Sequence, residues 1–153
     1  MHRLLGKRVL LVDHQKSGGE AIARVLRAHR AVVVQAEDGT EALDLFERKP
    51  YDVVLTEYEL REMKGDVLAE AIKAFDPNQR VVLMSGFLNL LRRSRHLGFS
   101  IERPSPGHSP RLKILHDANQ LFVDAILLKP CSLDQLAEAL VGPESAPRPA
   151  ARP

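Results

Sequence analysis

What most constrains this chain is an alternation. Short apolar runs of strand length take turns with segments whose apolar residues recur at helical spacing. Residues 8–12, 31–34, 52–55, 80–84 and 125–128 are the runs. Between the first two, Ile22, Val25, Leu26 and His29 fall on one helix face. Thr40 stands where it can cap a helix that carries Ala42, Leu43 and Phe46 on one side, and Pro50 ends it. Val67, Leu68, Ala71, Ile72 and Phe75 form the next face, stopped by Asp76-Pro77. After the last run, Ser132 and Gln135 read as a capping box opening a helix faced by Leu133, Leu136 and Leu140. Strand-helix alternation of this kind builds βαβ units around a parallel sheet. The runs are continuously apolar, as expected of strands covered by helices on both faces.

Length and composition narrow the reading further. The 153 residues make one domain, able to bury a core without disulfides or metal. Cys131 is the single cysteine, so no intrachain disulfide forms and a reducing, cytoplasmic setting is expected. No apolar run approaches the roughly 18 residues of a membrane span. The basic start of the chain meets Asp13 after only a short apolar stretch and has no cleavage site, so export is not expected. Net charge is +2, aromatic residues are 5% and tryptophan is absent, so nucleic acid is not an expected partner.

Regularity falters between residues 86 and 118. One helical stretch at 88–95 is expected there. Residues 103–110, with three prolines and a glycine, are expected to be irregular. This long insertion carries a balance of +4 while the remainder carries −2, a charge that would suit an acidic partner face. Residues 142–153, rich in Pro, Ala and Arg, read as a disordered tail, leaving 7–141 as the domain.

In an open parallel sheet, functional groups gather beyond the carboxyl ends of the strands. The tips here carry Asp13 and His14, Glu57, Ser85 and Lys129. The plainest account of any one of them is a polar residue where a strand meets water; together they suggest a pocket. Other signals are weaker. The six histidines lack zinc-type spacing, Ser17-Gly18-Gly19 belongs to no phosphate-loop motif, and Cys131 reads as a packed thiol.

The ordered markers resemble one family, the receiver domain of bacterial two-component response regulators. They are Val9-Leu10-Leu11-Val12-Asp13, the stretch from Ala36 through Asp38-Gly39 to Glu41-Ala42-Leu43, Tyr51-Asp52-Val53-Val54-Leu55 leading to position 57 and Gly65, Met84-Ser85-Gly86, and Leu128-Lys129-Pro130. The resemblance implies a flavodoxin-like (βα)5 doubly wound parallel sheet of order 2-1-3-4-5. It implies an aspartate phosphorylated by a histidine kinase, and two acids after the first strand that help hold Mg²⁺. A hydroxyl and a lysine would contact the phosphoryl oxygens, and an aromatic switch residue would sit three places before the lysine.

This chain departs from that pattern at the places that define activity. Glu57 holds the phosphoacceptor position, His14 replaces the second metal-binding acid, and Ile126 holds the switch position. Asp13, Ser85 and Lys129 remain. Glutamate moves the attacking oxygen outward by about 1 Å, a misplacement that can cost about a hundredfold. Imidazole suits Mg²⁺ poorly, so a metal site on Asp13 and Glu57 would be weak.

The expectation is therefore a degenerate receiver, a pseudo-receiver that signals by protein contact rather than as an enzyme. Its expected partners are a histidine kinase or an output domain, with a homodimer through the face of the fourth helix, fifth strand and fifth helix. No membrane and no cofactor are expected. Glu57 would either pair plainly with Lys129 or imitate a phosphorylated residue by reaching Ser85 and Lys129. The alternatives are a phosphorylatable or Mg-binding receiver that accepts at Glu57, a small phosphotransferase or phosphatase borrowing Glu59 as its second carboxylate, and a flavodoxin-like ligand-binding domain. Lys129 lies 44 positions beyond Ser85, far more than the family usually shows.

Overall fold

A computed structural model of the chain describes residues 3–86, 99–102, 111–114 and 123–142, with the strands at 99–102 and 111–114 described by their backbone. The elements run β1 (Arg8–Val12), α1 (Lys16–Ala28), β2 (Val32–Ala36), α2 (Gly39–Arg48), β3 (Val53–Glu57), α3 (Gly65–Phe75), β4 (Arg80–Gly86), β5 (Phe99–Glu102), β6 (Arg111–Ile114), β7 (Ala125–Lys129) and α4 (Leu133–Val141). Five strands form one sheet in the order β2-β1-β3-β4-β7, every neighbouring pair parallel. With β7 as its fifth strand, this is the expected 2-1-3-4-5 arrangement.

Alternation along the strands splits the core in two. Val9, Leu11, Val53, Leu55, Val82, Met84 and Leu127 pack on one side with Ala23 and Leu26 of α1 and Leu136, Ala137 and Leu140 of α4. Leu10, Val12, Val54 and Val81 pack on the other with Ala42 and Phe46 of α2 and Leu68, Ala69 and Ile72 of α3. Strands buried on both faces have no position left for alternating polar residues, which is why they read as continuous apolar runs. No helix among the described residues is long and apolar enough to cross a membrane.

Local details differ from the sequence reading. Asp38, not Thr40, caps α2: its Oδ1 accepts the Glu41 N–H at 2.8 Å, while Thr40 is already inside the helix. The buried face of α1 is Gly19, Ala23 and Leu26, and Val25 is exposed. On α3, Val67 and Phe75 are exposed and Ala69 is buried in their place.

The insertion holds a further element that the sequence reading did not foresee. β5 and β6 form a separate antiparallel ribbon, with Phe99 opposite Ile114 and Glu102 opposite Arg111. The expected helix at 88–95, the proline-bearing stretch at 103–110 and the tail at 143–153 lie outside the described residues.

Candidate functional site

Strand parity assembles the site. Leu11, Leu55 and Leu127 all face the core beside α1 and α4. Two places further along each chain stand Asp13, Glu57 and Lys129, so these three share that face at the carboxyl edge of the sheet. β3 and β4 extend further than the apolar runs alone indicate, so Glu57 is the last residue of its strand and Ser85 the last but one.

Lys129 Nζ donates a hydrogen bond to Glu57 Oε1 and forms an ion pair with it. Glu57 is only 7% exposed, whereas the lysine side chain is 38% exposed. Burial pushes the Glu57 carboxyl above its ordinary value. The Lys129 hydrogen bond and charge pull it back down, Asp13 pushes it up, and His14 lowers it slightly; burial outweighs the rest. The pair is thus a carboxylate short of solvation, held by one half-buried ammonium.

The other members are placed differently. Asp13 is buried, and its Oδ1 accepts the Gln15 N–H at 2.9 Å. His14 is partly exposed, with a buried Nδ1 that finds no partner among the described residues. Ser85 is 1% exposed and its Oγ also lacks a partner there. Glu57 therefore reaches Lys129 and not Ser85, which favours the plain ion pair over imitation of a phosphorylated residue. Ile126 is partly exposed and lines a cavity of about 420 Å³ between β7 and α4. Glu59 is engaged by Lys64, so the phosphatase alternative finds its second carboxylate already in an ion pair.

Gly65 fixes the turn beneath the pocket. Its N–H donates to the Tyr58 carbonyl at 2.7 Å, and a Cβ there would stand 2.3 Å from the Glu57 carbonyl oxygen. Only glycine lets α3 start this close to the end of β3.

The magnesium that the resemblance implies does not fit this donor set. Mg²⁺ asks for hard oxygen ligands in near-octahedral geometry. One oxygen of Asp13 is committed to backbone, one of Glu57 to Lys129, and the third position offers an imidazole. No three His, Cys, Asp or Glu side chains converge as metal ligands among the described residues.

Residues 9–100 match the family described as response regulator receiver domain. A response regulator receiver protein of Anaeromyxobacter sp. (strain Fw109-5) is 30% identical over 108 residues, covering 69% of this chain and 45% of its own length. Sporulation initiation phosphotransferase F of Bacillus subtilis (strain 168) is 27% identical over 97 residues, covering 62% of this chain and 78% of its own length. The chain thus spans less than half of the first relative. Among solved structures, response regulator TrrA of Thermotoga maritima in complex with Mg²⁺ and BeF superposes with a TM-score of 0.65 at 21% identity, over 86% of this chain and 94% of that one. The signal receiver domain of an HD domain-containing protein from Pseudomonas fluorescens Pf-5 gives 0.65 at 23% identity, over 88% and 91%. These likenesses report the fold.

Proposed function

We propose that this chain, which belongs to the response regulator receiver domain family, is a pseudo-receiver: it passes signals by protein contact and does not run phosphoryl transfer to a carboxylate. The observation that carries this reading is the ion pair of the buried Glu57 with the half-exposed Lys129 at the end of β3, where the family pattern has an aspartate. To accept a phosphoryl group, Glu57 would have to release Lys129 and present an ionised oxygen displaced by a methylene, beside an imidazole instead of a second acid. Each requirement raises the barrier.

Signalling by contact needs a surface rather than a reaction. The partner is a histidine kinase or an output domain in a cytoplasmic two-component system. The face formed by β7 and α4 is the contact surface, for that partner or for a second copy. The domain is 7–141, with the basic insertion inside it.

The test is incubation with acetyl phosphate and Mg²⁺, followed by intact-mass measurement. The expected result is no gain of a phosphoryl group, and none for Glu57→Asp alone, because His14 remains. A gain mapped to Glu57 in the wild-type chain would establish the rival reading, a receiver that accepts on glutamate.

A further inference from the structure

The mismatch between this pocket and a divalent ion leads further, and it rests on the reading that the pocket no longer runs phosphoryl transfer. We infer that Lys129 is the pocket's resident cation: it neutralises Glu57 in place of a divalent metal, so the wild-type chain takes up no divalent ion there, and a latent divalent site opens when Lys129 is removed.

Three observations carry this. Lys129 is bonded directly to Glu57, and Glu57 is buried. Asp13, Glu57 and Lys129 together carry one net negative charge, and His14 brings no carboxylate where an acid would add another. A dication entering the pocket would have to displace the ammonium, shed its own waters and settle for that single charge. Asp13 offers its second oxygen, but its first is held by the Gln15 N–H.

Removal of the ammonium changes the balance. Two carboxylates then stand on the same face of neighbouring strand ends, with no ammonium held against either. Carboxylate oxygens suit Mn²⁺, which also tolerates a neighbouring nitrogen donor better than Mg²⁺ does. His14 Nδ1 and Ser85 Oγ, which find no partner among the described residues, are polar groups not satisfied by one another.

The experiment titrates Mn²⁺ into the wild-type chain, Lys129→Met, Lys129→Arg and His14→Asp at mildly alkaline pH, and follows paramagnetic broadening of backbone amide signals. The wild type and Lys129→Arg should show no selective broadening at Asp13, His14 and Glu57. Lys129→Met should show it there, with at least tenfold tighter binding. His14→Asp, at a partly exposed position, returns one negative charge and should gain binding to a smaller degree even if Lys129→Met fails to fold. Selective broadening in the wild type overturns the inference, as does its absence from both gain variants in folded protein. A wild type that binds Mn²⁺ yet gains no phosphoryl mass would sink the inference and leave the proposed function standing. A mass gain without metal binding would do the reverse.

Discussion

Glu57 sets the behaviour of the pocket at the scale of single residues. Its carboxyl is raised above the ordinary 4.5, chiefly by burial. The folded chain therefore holds that proton more tightly than the unfolded chain does. The stability this contributes is fully present below about pH 4.5 and is lost as pH rises through the folded value. The stability of the wild type minus that of Glu57→Gln should accordingly fall as pH rises above 4.5, measured by urea unfolding across a pH series. A difference that grows with pH would mean that Lys129 outweighs burial. Gly65 gives a steric counterpart. In Gly65→Ala the new methyl meets the Glu57 carbonyl oxygen, and the urea-derived stability should drop by about 1–3 kcal/mol. The strand-tip placement of Asp13, Glu57 and Lys129 was legible, because an apolar run ending in a charge marks a carboxyl edge. That Glu57 would turn to Lys129 and leave Ser85 without a partner among the described residues was not, because it depends on side-chain direction across three strands.

At the scale of elements, α4 shows how ends are fastened. Arg80, the first residue of β4, donates from Nε and Nη2 to the Ala139 carbonyl at 2.9 and 2.7 Å, and Arg3 Nη2 donates to the Gly142 carbonyl at 2.7 Å. Cations on the last carbonyls satisfy acceptors a helix cannot satisfy itself and oppose its dipole. Arg80→Ala should cost about 1–2 kcal/mol and speed amide exchange in the last turn of α4; unchanged exchange there would show the clamp to be idle. The start of the same helix was readable as Ser132 and Gln135, and both halves of that capping box form. The arginine clamp was not readable, since its partners are 59 and 139 positions apart. The β5–β6 ribbon was missed for a different reason. Phe99-Ser100-Ile101 and Leu112-Lys113-Ile114 do alternate with strand period, but each strand is only four residues long and three prolines lie between them.

At the scale of the whole molecule, the helix-covered parallel sheet followed from the alternation of runs and faces, while the strand order came from family resemblance and was then found in the sheet. The central claim is that the family's architecture persists around a pocket that has lost the family's chemistry. The most direct test is a two-dimensional NMR titration with Mg²⁺ followed by beryllofluoride, a mimic of the phosphoryl group. The account predicts a spectrum that does not move at millimolar Mg²⁺ and stays unmoved when beryllofluoride is added. Shifts clustered at Asp13, Glu57, Ser85 and Lys129 and spreading to Ile126 and α4 would contradict it, and would make the chain a working switch with a glutamate acceptor.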